Sequence, residues 1–255
     1  GVNVPDFATD ESWGPKLDGT PARQFYSFTP YAPEYYNKAT PWSPQPNNIK
    51  DFFETGVSNN NSLSVSGGNE MYAIRLSYGN TNEKGVMPNS KLNKHSFALN
   101  ASTDITKWLN ISGMGTFVTT KAKGRSGTGY DGLNVMQPFN QWHQRQIDMG
   151  ILKKYYELPD GSQMTWNRTS AENPTPKYTD NPYWTRFKNY ENDGRDRFYG
   201  TIVATVKLLP SVNVVGKLSR DGYEDTREER IAVGSQDIPY YGKFVRNLNE
   251  VNKEV

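Results

Sequence analysis

The stretch Phe198-Tyr199-Gly200-Thr201-Ile202-Val203-Ala204-Thr205-Val206-Lys207-Leu208-Leu209-Pro210-Ser211-Val212-Asn213-Val214-Val215-Gly216-Lys217-Leu218-Ser219 alternates with a period of two on both sides of a short turn. Successive strand residues point to opposite faces. Phe198, Ile202, Ala204, Val206 and Leu208 therefore share one side, while Arg197, Tyr199, Thr201, Thr205 and Lys207 mostly share the other. After Leu209-Pro210-Ser211, Val212, Val214, Gly216 and Leu218 face one way, and Asn213, Lys217 and Ser219 the other. The charges belong to the less apolar face, an arrangement that suits a hydrated barrel lumen backed by lipid.

The same signal recurs upstream. Tyr72, Ile74, Leu76 and Tyr78 alternate with Ala73, Arg75, Ser77 and Gly79 after a tight Gly67-Gly68-Asn69-Glu70 turn. Phe97, Leu99 and Ala101 share a face, and Leu109, Ile111, Gly113, Gly115 and Phe117 follow beyond the turn Thr103–Lys107. The three short turns fall at one end of these strands. At the other end, Lys121 to Asp196 is a connection of more than 70 residues. Short turns on one side and long loops on the other characterise outer-membrane barrels, and loops this long are uncommon inside compact soluble domains. Alternation by itself also fits a β-sandwich or propeller with a large insertion.

Residues 1–60 read as irregular, with prolines at 5, 15, 21, 30, 33, 41, 44 and 46 denying strand and helix donors. Asn47 to Glu54 is the one helical candidate there, ended by Gly56. Only 35% of the chain is hydrophobic, so a conventional soluble core is not implied; no run approaches the roughly 18 apolar residues of a membrane helix. Barrel strands need only about 9 to 11 alternating residues. The formal charge of +2 and the lack of a basic run offer no electrostatic case for nucleic acid.

Chemistry finds few candidates. Cysteine is absent, and His95 and His143 lie far apart outside any zinc-binding spacing, so no metal or cofactor is expected. Gly124-Arg125-Ser126-Gly127-Thr128-Gly129 lacks the Gly-Lys-Ser/Thr ending of a phosphate loop and reads as a flexible start to the long loop. Asn192-Asp193-Gly194-Arg195-Asp196 has too few carboxylates for a calcium cage and reads as a turn before the next strand. No serine elbow or spaced carboxylate pair suggests hydrolysis, so an enzyme is not expected.

Several segments in order resemble the SusC/RagA family of TonB-dependent outer-membrane transporters of the Bacteroidota. They are Asp10-Glu11-Ser12-Trp13-Gly14-Pro15-Lys16-Leu17-Asp18-Gly19, Asn48-Ile49-Lys50-Asp51-Phe52-Phe53-Glu54-Thr55-Gly56, Ser64-Val65-Ser66-Gly67-Gly68-Asn69, Leu76-Ser77-Tyr78-Gly79-Asn80 and Glu83-Lys84-Gly85-Val86-Met87-Pro88-Asn89-Ser90. Phe139-Asn140-Gln141-Trp142, Asp180-Asn181-Pro182-Tyr183-Trp184 and Arg227-Glu228-Glu229-Arg230-Ile231 continue the series. The resemblance implies an all-β chain forming part of a 22-stranded transmembrane antiparallel β-barrel with long extracellular loops. It also implies import of oligosaccharides or peptides across the outer membrane, a SusD-like surface lipoprotein as cap, and energy from the TonB complex acting through an N-terminal region not found in this sequence. The strands here would be only an early sector, closing with the remainder of the same barrel against outer-membrane lipid.

On this reading, 1–60 is the plug-to-barrel transition or first extracellular loop region, and 61–120 holds early barrel strands. Residues 121–195 form a long extracellular loop, 196–225 a barrel hairpin, and 226–255 a strand end and following loop. Lipid is expected against Tyr72, Ile74, Leu76, Phe97, Leu99, Ile111, Phe117, Ile202, Val206, Val212 and Val214. Flat aromatic faces stack on sugar rings or peptide groups, which makes Tyr130, Trp142, Trp166, Tyr183 and Trp184 candidates to face substrate or partner. Such rings equally serve to hold a loop together, with Phe139, Trp142 and Ile147 on one side of a short helix. A soluble or surface carbohydrate-binding β-domain and a structural component of a multi-chain envelope assembly are the alternative functions.

Overall fold

The computed structural model describes residues 1–236 and the backbone of 244–254. A two-stranded ribbon, β1 (Pro21–Ala22) and β2 (Thr40–Pro41), belongs to the proline-rich N-terminal region. The main body is a seven-stranded antiparallel meander in which every strand pairs with its sequence neighbour. Its strands are β3 (Val57–Gly68), β4 (Tyr72–Lys84), β5 (Lys91–Thr106), β6 (Leu109–Arg125), β7 (Tyr190–Leu209), β8 (Val212–Ile231) and β9 (Phe244–Glu254). The chain is therefore all-β, and the sheet is open among the described residues.

Directly paired residues in an antiparallel ladder project to the same face, so the register sorts every side chain. Leu76 pairs with Val65 and Leu99, Leu99 with Gly115, and Gly115 with Gly200. Ile202 pairs with Gly113 and Leu218, and Val206 with Leu109 and Val214. By this register the eleven residues proposed from sequence to meet lipid all occupy a single face. Ten of them are exposed, from Ile111 at 36% to Ile202 at 57%, and Val206 is half-buried. Contiguous exposed apolar faces are uncommon on soluble monomers and mark surfaces that meet another phase or partner.

One boundary of that surface is a row of four rings flanked by Leu63. Leu63, Tyr78, Phe97, Phe117 and Phe198 are successive register partners across β3 to β7. Tyr78 and Phe97 pack with centroids 4.9 Å apart and their planes tilted by 38°. From Phe198 to Leu208 are ten residue steps, which at about 3.3 Å each and a tilt of about 40° rise about 25 Å. Tyr72 and Trp108, both exposed, lie at the far boundary beside the short turns. The opposite face carries Ser64, Arg75, Asn100, Ser112, Thr201 and Lys217.

The strands run further than their alternation indicates. β6 continues to Arg125 and β7 starts at Tyr190, so the long loop is 126–189 rather than 121–195. Asn192-Asp193-Gly194-Arg195-Asp196 is strand, paired with β6 and β8, and the turn expected there is corrected. β5 likewise extends to Thr106, into the segment expected to turn, with a bulge at Asp104/Thr106. Beyond the aromatic row both faces are polar, so period-two contrast vanishes while the backbone ladder persists. Ion pairs stitch this part: Arg125 with Asp193, Arg197 with Asp221, and Arg195 with Asp225 at 2.5 Å. The end of the loop after β8, residues 237–243, lies outside the described residues.

Candidate functional site

Two segments remote in sequence, 1–56 and 126–189, fold together at the long-loop end of the sheet. Their shared core contains Phe7, Phe25, Tyr26, Phe52, Phe139, Ile147, Leu152, Trp166 and Tyr183. Helix α1 (Met136–Gln141), α2 (Met149–Lys154) and α3 (Pro182–Phe187) are six residues each, too short to persist alone. Capping and tertiary contacts hold them. Asp148 accepts from Gly150 N at 2.7 Å and Ile151 N at 3.1 Å. Asn181 caps α3 by accepting from Tyr183 N at 2.8 Å, with Pro182 in the first helical position. The expected Asn47–Glu54 helix is a 3-10 turn at Asn48–Phe52, and α1 ends before Trp142, leaving Ile147 outside it.

A loop without regular ladders must satisfy buried backbone groups in another way. Buried amides and guanidiniums do so here. Asn48 Nδ2 donates to Gln144 O, Arg145 O and Ile147 O, tying the N-terminal segment to the loop. Asn167 Nδ2 donates to Phe7 O and Thr9 O while its Oδ1 accepts from Tyr178 N and Thr179 N. Asn181 Nδ2 donates to Leu152 O at 2.9 Å and Met164 O at 2.8 Å. Arg168 reaches Phe25 O, Ser170 O and Ala171 O, and burial pulls its pKa down to about 10.

Arg186 fastens this cap to the strands. It donates to Pro88 O at 3.0 Å in the β4–β5 turn, and to Gly124 O and Arg125 O at the end of β6. Gly124 adopts φ +68° with Asn89 O only 2.1 Å from where a Cβ would stand. Only glycine fits that close approach. Trp184 Nε1 donates to Ser235 Oγ at 2.9 Å, linking the cap to the loop after β8.

These contacts assign places to the five aromatic candidates. Tyr130 is 82% exposed and Trp142 is half-buried. Trp166, Tyr183 and Trp184 are enclosed: Tyr183 packs on Phe52 at 5.1 Å, and burial pushes its hydroxyl pKa up to about 12. In this arrangement those three rings build the cap, and their faces are occupied by protein. His143 is likewise interior, edge-on to Phe139 at 5.3 Å and Trp166 at 5.9 Å. Burial, and then the charge of Arg145, lower its pKa to about 4.

The accessible recesses are elsewhere. A groove of about 730 Å³ in the cap is lined by Trp13, Trp42, Pro5, Asp6, Glu11 and Arg145, among others. Trp13 is 93% exposed, and it lies in the Glu11-Ser12-Trp13-Gly14-Pro15 segment quoted for its family likeness but not proposed as a site. A broad trough of about 870 Å³ runs along the polar face of the sheet, over Ser66, Arg75, Asn100, Ser102, Thr201 and Lys217. Both volumes fall in the range of ligand-binding clefts. No group of three or more potential metal-ligating His, Cys, Asp or Glu side chains occurs among the described residues.

No protein-family model matches the sequence, and no curated protein matches it significantly. Solved structures do match. Two states of the RagAB peptide importer, open-open and closed-closed, superpose with TM-score 0.55 at 14% identity, covering 80% of this chain and 22% of theirs. The RagAB peptide transporter gives 0.57 at 14% identity, covering 89% of this chain and 25% of that one. The likeness is one of fold, and the chain spans about a quarter of the length of these neighbours.

Proposed function

We propose that this chain is one sector of the wall, with its extracellular cap, of a SusC/RagA-type outer-membrane importer. The observation that carries this is the single apolar face, bounded by an aromatic row and rising about 25 Å, the height of the lipid-facing band in outer-membrane barrels. A soluble carbohydrate-binding domain would leave that whole face in water. The fold likeness to peptide-importer chains supports the same reading.

In this reading the eleven apolar residues meet outer-membrane lipid, the polar trough lines the lumen, and 126–189 with 1–56 form the rim. Substrate is an oligosaccharide or peptide, captured at the rim with a SusD-like lipoprotein and passed inward when the TonB complex acts on the N-terminal part of the full protein. The work is binding and gated passage, with no covalent step. Tyr130 and the Trp13–Trp42 groove are the surfaces that present rings to such a ligand, and Trp142 offers an edge.

The test is uptake in cells that carry or lack the full-length protein. Labelled oligosaccharide or oligopeptide is expected to enter only with the protein present, and collapse of the inner-membrane proton gradient is expected to stop it. Uptake of both unaffected by deletion, or a full-length protein that is monodisperse without detergent, defeats the proposal.

A further inference from the structure

Beyond the aromatic row, the outward face of β4, β5 and β6 changes character in register-matched steps. Asn80, His95 and Thr119 form the first row above the rings, and Asn82, Asn93 and Lys121 the second. The third row is Lys84, Lys91 and Lys123, three cations directly opposite one another. All four lysines are exposed. Lys84 pairs with Glu54 at 2.7 Å and Lys123 lies 5.4 Å from the Tyr190 ring centroid. Lys91 and Lys121 have no side-chain partner among the described residues.

Like charges directly opposite weaken a ladder, so the row calls for an explanation. Lysines guard exposed edges against unwanted pairing, but β4, β5 and β6 are all interior strands. The carboxylates of these three strands, Glu83 and Asp104, project from the other face, as their register partners Leu92 and Asn110 show. The outward face of β7 and β8 is different again, with Asp196 opposite Glu224. The cationic patch is thus confined to one sector, on the side that stays open when further strands close the sheet.

We infer that Lys84, Lys91, Lys121 and Lys123 form a ledge that binds the phosphate groups of a phosphorylated glycolipid in the outer leaflet. The inference rests on the membrane reading of the apolar face. Height selects the lipid: four residue steps from Phe117 to Lys121 and six from Phe97 to Lys91 rise about 10 and 15 Å above the rings. A phospholipid headgroup layer is only about 5 to 8 Å thick. Phosphorylated sugars standing on acyl chains reach the ledge, and the side chains of Asn80, Asn82 and Asn93 lie at the level of their hydroxyl groups. The apolar face continues directly below to receive the acyl chains.

The full-length protein in detergent is titrated with fluorescent lipopolysaccharide that carries its phosphates, and with the same material dephosphorylated. Replacing Lys91, Lys121 and Lys123 together by Gln is expected to weaken binding of the phosphorylated form on the order of a hundredfold. Lys94→Gln, three residue steps above the rings on the other face, is expected to leave it unchanged, and dephosphorylated material is expected to bind all forms alike and weakly. Equal binding by the triple variant, an equal loss in Lys94→Gln, or equal preference for phosphatidylglycerol vesicles overturns the inference. So does release of an acidic protein partner, in place of glycolipid, by the triple variant. Partition into membranes is scored on the same samples: its loss in the unmodified protein overturns the membrane reading too, whereas normal partition with unchanged glycolipid binding overturns the ledge alone.

Discussion

Ile202 and Val203 are neighbours in β7 with opposite outlooks, and Arg at each separates the two faces of the sheet. Ile202 is 57% exposed on the apolar face, four residue steps from Phe198. Those steps place it about 10 Å below the ring row, within a few ångströms of the middle of a band about 25 Å tall. Arg at the bilayer midplane of a barrel costs about 2 to 4 kcal/mol. Val203 borders the polar trough beside Thr201 and Lys217, where a long cation stays hydrated. Equilibrium unfolding of the full-length protein from lipid vesicles should show Ile202→Arg destabilised by about 2 to 4 kcal/mol and Val203→Arg by about 1 kcal/mol or less. Equal costs, or an Ile202→Arg protein that inserts normally with residue 202 open to a water-soluble label, would refute the facing assignment.

The cap yields two further expectations. Asn181→Ala removes two buried donations to Leu152 O and Met164 O and the acceptor for Tyr183 N, and should loosen the cap by about 3 kcal/mol or more; hydrogen exchange should accelerate in 149–187 and not in the strands below the rings, and uniform exchange across both would count against a separately stabilised cap. His143 should make the cap acid-sensitive: the unfolded segment takes up a proton below about 6.5 that the folded site refuses until about 4, so stability falls as pH drops through that window by up to about 3 kcal/mol. Exchange rates in the cap that stay flat between those pH values would contradict this account.

Much of the sheet was legible because an apolar face on one side and a polar face on the other give a two-residue contrast. The pairing of Phe97, Leu99 and Ala101 with Phe117, Gly115 and Gly113 follows from it. Where both faces are polar the contrast fails, and Tyr190 to Arg195 looked like loop although it pairs throughout. The cap was hidden for a different reason. Its order comes from Asn48, Asn167, Asn181, Arg168 and Arg186 reaching distant carbonyls, and buried asparagine or arginine has no periodic signature. Aromatic composition alone did not distinguish Trp184, sealed beside Ser235, from Trp13, bare in the groove.

That distinction changes how the rim should be probed. Removing Trp166 or Trp184 opens a cavity in the cap core, at a cost of about 3 to 5 kcal/mol for such a truncation, so lost uptake would report unfolding as readily as lost contact. Tyr130 and Trp13 are free of that ambiguity because little packs on them. The arrangement also separates two stabilities. Strands below the rings are held by a continuous ladder, whereas the cap is joined to them and to the loop after β8 by side chains that include Arg186, Asn89, Gln163, the ion pair of Lys84 with Glu54, and the Trp184–Ser235 link. Opening side-chain contacts of this kind costs less than opening a ladder, so hydrogen exchange in the cap should precede exchange in the strands.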